Sequence, residues 1–267
     1  MKRRIGRRMI GRVAPAMITL VVFVAIWYAV HGVVLSERRR FIVPTPHRVV
    51  QRAFLDSHTR HELLTGLANS AKVAVMGFAI ASMLALVVAS LMAANRTLER
   101  ALFPYAIALQ TIPILALVPL FSVWWGPTRT ARVVTCVLVA VFPILTSFLL
   151  GLKSADRNIV DLFRVNGANR RTTYLKLALP SALPAIFTGL RIGAGLCVIG
   201  SLVADFFFTR GDLGLGRLLN NYATELEYEK LFGGVILASM FGIVIYVAVS
   251  WLAHRCLRHW HESEIAS

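Results

Sequence analysis

The stretch Asp161-Leu-Phe-Arg-Val-Asn-Gly167-Ala-Asn-Arg-Arg-Thr-Thr-Tyr-Leu-Lys-Leu177-Ala-Leu179-Pro180 lies between two apolar runs, residues 133–152 and 181–208. Residues 159–165 carry a helical pattern with Leu162, Phe163 and Val165 available for burial. Gly167, with Asn166 beside it, marks a helix end or turn. Tyr174, Leu175 and Leu177 then form a second short amphipathic stretch, and Pro180 admits the start of a new helix. A helix–glycine–helix unit held between two apolar runs is suited to docking in a groove of a partner.

The two flanking runs are part of a series. A helix needs roughly 20 mostly apolar residues to cross a membrane. Six stretches qualify: about 13–35, 73–94, 100–125, 133–152, 181–208 and 231–256. The first follows six basic residues and is too long for the h-region of a cleaved signal, which predicts an uncleaved anchor. The third contains Pro104, Pro113 and Pro119, which predicts a kink or an irregular start. No stretch alternates as a membrane barrel strand does. The expectation is an all-α membrane protein: a basic N-terminus (1–12), a single transmembrane domain (13–256) and a tail (257–267).

Composition agrees. Of 267 residues, 57% are hydrophobic and only 16% charged, too apolar to leave enough polar surface around a soluble core. The same hydrophobicity excludes disorder. Cys136, Cys197 and Cys256 are odd in number and sit in apolar runs, so buried thiols are expected rather than a disulfide framework. Trp27, Trp124, Trp125, Trp251 and Trp260 sit towards span ends, where interfacial aromatics gather.

The net charge of +16 sets an orientation. With the N-terminus cytoplasmic, sixteen basic residues fall inside and twelve outside, with Arg191 within a span. The outer count includes Arg129, Arg132, Arg210 and the Arg38-Arg39-Arg40 run, which goes against the positive-inside tendency. The cluster before the first span dominates, and both termini are expected in the cytoplasm. The 36–72 loop is expected to start extended at Phe41-Ile-Val-Pro-Thr-Pro46 and to continue as an amphipathic helix, with Val49, Val50, Phe54 and Leu55 on its apolar side. Residues 209–230 read as a polar, acidic outer loop.

Here the chain resembles the integral-membrane permease subunits of binding-protein-dependent type I ABC importers. Their cytoplasmic loop reads Glu-Ala-Ala, three residues, Gly, nine residues, Ile, one residue, Leu-Pro. Asp161, Leu162 and Phe163 stand in the first three places, with Arg164 next. Gly167 and Ala168 follow, then Leu177, Leu179 and Pro180 at the same spacing. Glu-Ala-Ala has become Asp-Leu-Phe, and Ile has become Leu. With Pro184, Gly189-Leu-Arg191, Ala204-Asp205-Phe206 and the Pro44-Thr-Pro46 lead-in, the chain looks like the branch of nitrate, sulfonate, taurine and thiamine-precursor permeases. The resemblance implies a permease in the bacterial inner membrane, paired as a homodimer. It implies a cytoplasmic ATPase dimer engaged through the 153–180 loop, and an external solute-binding protein. The cargo would be a small oxyanion, sulfonate or heterocyclic vitamin precursor. No cofactor is expected in this chain, because ATP and Mg would sit on the ATPase. The sequence has no G-x-x-x-x-G-K-[ST] phosphate loop, so an ATP-driven reading needs a second polypeptide.

Other features carry two readings each. Arg164, Arg170 and Arg171 either belong to the coupling loop or meet lipid headgroups. Arg191 and Asp205 are ionised groups inside an apolar run, a costly placement that marks functional candidates. Both, with Pro113 and Pro119, are candidates for the translocation pathway. Arg191 has a snorkelling alternative and Asp205 an interfacial one. Gly189 and Gly193 form a G-x-x-x-G better suited to close helix packing than to a gate. His58, His61 and Glu62 lack the H-E-x-x-H order of a zinc site and read as solvated loop residues. His254, His259 and His261, with Arg255 and Arg258, form an interfacial basic tail. No catalytic or metal-binding set is expected, and the basic charge is assigned to topology and lipid rather than nucleic acid. An autonomous secondary transporter or channel is the competing function. It normally carries coupling charges at mid-membrane.

Overall fold

The computed structural model describes residues 2–126, 128–208 and 211–257. The expected tail, with Arg258, His259, Trp260 and His261, lies outside the described residues from 258 onward, as does Arg210. Every regular element among the described residues is a helix.

In chain order the helices are α1 (Lys2–Ala29), α2 (Pro46–Val49), α3 (Ser57–Ala94), α4 (Arg96–Thr111), α5 (Ile114–Trp125), α6 (Arg129–Leu152), α7 (Arg157–Val165), α8 (Arg170–Thr173), α9 (Leu179–Phe207), α10 (Leu215–Thr224) and α11 (Tyr228–Leu257). Short π-helical turns extend α1 (Val30–Val34) and α2 (Val50–Leu55) and join α8 to α9 (Tyr174–Ala178). Among the described residues, five helical stretches are long and apolar enough to cross a membrane, and α4 with α5 makes a sixth if taken as one broken span.

The breaks have local causes. Ile112 is extended (φ −70°, ψ 124°) because it precedes Pro113, and α5 starts on that proline. Of the three prolines expected to disturb this span, only Pro113 breaks it; Pro104 and Pro119 lie within continuous helices. Helix α3 runs well beyond the expected 73–94. Its start is set by Asp56, whose carboxylate accepts from His58 N (3.3 Å) and Thr59 Oγ1 (2.7 Å). These bonds hold the exposed Asp56 carboxyl below its usual range. His58, His61 and Glu62 therefore sit on a helix rather than in a loop. Residues 211–230, the described part of the expected outer loop, also hold more structure than their polarity suggests. Helix α10 buries Leu215, Leu218, Leu219 and Tyr222, an i, i+3, i+4, i+7 face.

Within the stretch expected as one domain, contacts divide the chain into two compact units. The first holds the described residues up to 64 together with 218–236. There Trp27 Nε1 donates to Pro44 O (3.0 Å), and its ring packs on Phe232 at 5.4 Å. His31 Nδ1 bonds Val43 O at 2.6 Å. These contacts pin Val43 and Pro44 ahead of α2; the expected extended start at Phe41 is instead a turn, in which Ile42 N bonds Arg39 O (3.0 Å), and Thr45 just before α2 is extended. The buried face here is Val49 and Ala53, while Val50 and Leu55 are exposed. The π turn winds more residues per turn than the α-helix assumed from sequence, which rotates the apolar face. Tyr222 donates to Glu62 Oε2 (3.1 Å); partial burial and the Glu62 charge both push its hydroxyl pKa up.

The second unit holds residues 65–217 and the described residues from 237. Its centre is the antiparallel pair α6 and α9, joined along a seam of small residues. A Cβ at Gly189 would lie 2.6 Å from Ser147 Cβ, and one at Gly151 would lie 2.8 Å from Ala185 Cβ. Gly193 abuts Ile144, and Gly200 abuts Cys136. Close packing is therefore the use made of the glycine pattern. Gly193→Val is expected to cost about 1–3 kcal/mol by overpacking against fully buried Ile144. A drop in the melting temperature of the purified protein would show it. Cys136 and Cys197 are buried as expected, whereas Cys256 is exposed on α11.

Candidate functional site

The 153–180 segment folds as two helical limbs about a turn. Asp156 starts α7, its carboxylate accepting from Asn158 N (2.8 Å). The helix closes where Gly167 N bonds Arg164 O (3.0 Å) and Ala168 N bonds Phe163 O (3.0 Å). That closure needs the left-handed backbone of Gly167, φ +73°. Asn169 then caps α8, accepting from Thr172 N (2.8 Å). The second limb is tied down by Tyr174, whose hydroxyl bonds Ser90 Oγ of α3 at 2.7 Å, and by buried Leu177.

The residues singled out from sequence separate into two groups. Leu177 is buried and Phe163, Ala168, Leu179 and Pro180 are partly buried; these hold the segment on the helices. Asp161, Leu162 and Arg164 are exposed, with Asp161 and Arg164 in a loose pair at 3.6 Å. Ile159, Leu162 and Val165 repeat every third residue along one edge of α7 and stay exposed at 43%, 59% and 86%. Their spacing puts them on one face. An apolar edge exposed beside charged neighbours marks a contact surface. Leu162 and Val165, available for burial by their pattern, are left uncovered by this chain, while Phe163 is partly buried.

At the far end of the α6–α9 pair, Asp205 is 1% exposed. Its Oδ1 receives Arg132 Nη1 (3.1 Å) and its Oδ2 receives Ser70 Oγ (2.5 Å). Arg132 Nη1 also donates to Asp212 O (3.1 Å), and Ser70 Oγ accepts from Leu215 N (2.8 Å). Asn69 Nδ2 donates to Leu213 O (3.0 Å). Gly214 and Gly216 pack so closely on Asp205 that a Cβ at either would collide with it. Outside this knot Arg129 bonds Asp212 at 2.6 Å, and that bond and charge hold the exposed Asp212 carboxyl below its usual range.

Sequence reasoning counted Arg132 among outer-loop cations, yet its side chain is 3% exposed. Ser70, Leu215, Gly214 and Gly216 were not singled out. A usable signal existed: Arg132 opens one apolar run and Asp205 closes the next, and antiparallel neighbours bring such ends to one level. Arg191, half-buried in α9, is about 21 Å from Asp205 along the helix. Pro113 sits at the α4–α5 break and Pro119 within α5, so the four pathway candidates do not converge on one site.

Comparison with known proteins adds to this geometry. Residues 77–259 match the profile described as binding-protein-dependent transport system inner membrane component. The formylaminopyrimidine transport permease protein ThiX of Halalkalibacterium halodurans is 32% identical, covering 84% of this chain and 88% of that protein. The putative aliphatic sulfonates transport permease protein SsuC of Escherichia coli is 30% identical, covering 92% of each. Among solved structures, the inward-facing MetNI methionine ABC transporter has a chain of the same fold. Its TM-score is 0.57 at 19% identity, over 83% of this chain and 99% of that one. The helical architecture, the 161–180 spacing and these likenesses together place the chain in the binding-protein-dependent ABC importer permeases, as a multi-pass inner-membrane transport subunit.

Proposed function

We infer that this chain forms the translocation pathway of an ATP-driven importer and is coupled to a separate ATPase through residues 153–180. The observation that carries this is α7 itself. Three apolar side chains are held out on one edge of a helix that buries none of its residues in this chain and is closed by a glycine turn. Such an edge fits a groove in a partner, as amphipathic helices do elsewhere. Asp161, Leu162, Arg164 and the Gly167–Ala168 turn are assigned to contact and geometry. Phe163, Leu177, Leu179 and Pro180 transmit displacement into α9. ATP and Mg would be held by the ATPase, and this chain would carry no cofactor.

The active unit is a homodimer of this chain with two ATPase copies and an external solute-binding protein, with both termini in the cytoplasm. Relatives named for formylaminopyrimidine and for aliphatic sulfonates support a small anionic or heterocyclic cargo. Arg191, Pro113 and Pro119 remain the pathway candidates. Asp205 is assigned instead to holding the 211–216 loop, because its carboxylate is occupied by partners of its own chain.

The test is reconstitution in liposomes with the candidate ATPase and binding protein. Solute accumulation is expected only with ATP, ATPase and binding protein all present. Accumulation without the ATPase would overturn the reading in favour of a secondary transporter or channel. Binding assays on the solute-binding protein would then name the cargo.

A further inference from the structure

Two helix starts and one helix end surround a hollow of about 770 Å3 that the reading above leaves unused. Five cations reach it: Arg96 and Arg100 from α4, Lys153 just after α6, and Arg157 and Arg164 from α7. Only two carboxylates share it, and both are engaged. Glu99 is bonded by Lys153, and Asp161 lies 3.6 Å from Arg164. Arg96, Arg100 and Arg157 are left with no carboxylate at ion-pair distance among the described residues. Three guanidinium groups without a carboxylate partner, two on α4 and one on α7, line one concavity, and an anion between them relieves their mutual repulsion.

The chemistry of that anion follows from the donors and from the rest of the lining. Guanidinium forks match the paired oxygens of a phosphate. The rest of the lining is apolar: Ala93, Leu152, Ala155, Val160 and Ala178. Arg96 comes two residues after α3 ends, and Lys153 directly follows α6, so these cations sit at the ends of two helices long and apolar enough to cross a membrane. Leu91, Leu102 and Leu150 are exposed a few residues away, and are available to an acyl chain. Basic pockets between membrane helices bind anionic headgroups in this setting.

We propose that this hollow is a phosphate-binding site formed by Arg96, Arg100 and Arg157, and that an anionic phospholipid headgroup supplies the phosphate. A lipid held there touches α4, the end of α6 and the start of α7 at once, and so steadies the helix that carries the apolar edge. The inference rests on the chain being in a membrane and stands whether or not α7 engages an ATPase.

The experiment compares wild type, the R96Q/R100Q/R157Q triple variant and the R96K/R100K/R157K triple variant, each as full-length chain. Phospholipid retained from a phosphatidylglycerol-containing membrane is measured by native mass spectrometry. Melting temperature is measured in phosphatidylcholine nanodiscs, with phosphatidylglycerol or inorganic phosphate added in parallel. Wild type is expected to retain phosphatidylglycerol and to be stabilised by it. The glutamine variant should lose affinity about fivefold per arginine removed, and the lysine variant should lie between. Should the glutamine triple fail to elute as a folded species, R96Q and R157Q are compared singly against the same fivefold expectation. Stabilisation by inorganic phosphate alone, with phosphatidylglycerol no better than phosphatidylcholine, would keep the phosphate site and overturn the lipid source. Equal retention and equal melting shifts in wild type and glutamine variants would overturn the site. So would loss of a co-purifying ATPase with lipid retention unchanged, since the arginines would then serve a protein partner.

Discussion

Replacing Arg132 by Met is expected to destabilise the purified protein by about 3–5 kcal/mol. Met fills much of the same volume but leaves the Asp205 carboxylate, 1% exposed, without its cationic partner. Ser70 and the Gly216 N–H still face the carboxylate, yet neither neutralises it. The loss should be concentrated in residues 211–216, which the knot pins through Asp212 O and Leu215 N. Limited proteolysis of that loop should therefore quicken along with the fall in melting temperature. Removing both charges in R132M/D205L should cost less than the sum of the single changes, because no lone charge is then buried. A strictly additive double variant, or an R132M melting curve like wild type, would show that the ion pair does not hold this end together.

Gly167→Pro is expected to abolish ATP-driven uptake while leaving the membrane helices folded. Proline fixes φ near −65°, and the turn requires +73°. It also removes the Gly167 N–H that bonds Arg164 O. The space around Gly167 is open, so a side chain meets nothing; the entire effect comes from the backbone. This allows a graded series. Gly167→Asn, which tolerates the left-handed region, should keep most uptake, and Gly167→Val should lose most of it, at a strain of about 1–2 kcal/mol. Uptake in reconstituted liposomes and ATPase co-purification are the paired measurements. Full activity in the proline variant would remove the turn from the coupling assignment.

The parts legible in the sequence are those decided locally. Long uncharged runs can only be helices that cross a membrane, so their number was readable without tertiary knowledge. Gly167 and Pro180 are strong punctuators, and the turn and the start of α9 fall where they predict. The early start of α3 was readable in principle from Asp56 ahead of Ser57 and Thr59, but the polar residues that follow resemble a loop. The partners of Asp205 were legible only in part: the ends of the apolar runs put Arg132 at its level, and Ser70 carries no such signal. Ser70 and Asp205 are 135 positions apart, and nothing in the local pattern of either names the other. The pattern of Leu162 and Val165 was legible, but not what covers it. An amphipathic pattern says that a face will be covered, without saying by whose surface.

The seam of Gly151, Gly189, Gly193 and Gly200 has a mechanical consequence. Backbones that touch along their length leave no compressible layer of long side chains between them, so α6 and α9 behave as one stiff bar about 36 Å long. A bar of that kind does not absorb a push; it delivers it. Displacement of the Leu152 end of α6 by an ångström or two would therefore arrive at the Arg132–Asp205 end with little loss. Under the proposed coupling, a surface that seats the apolar edge of α7 and moves that end would have leverage over the 211–216 loop.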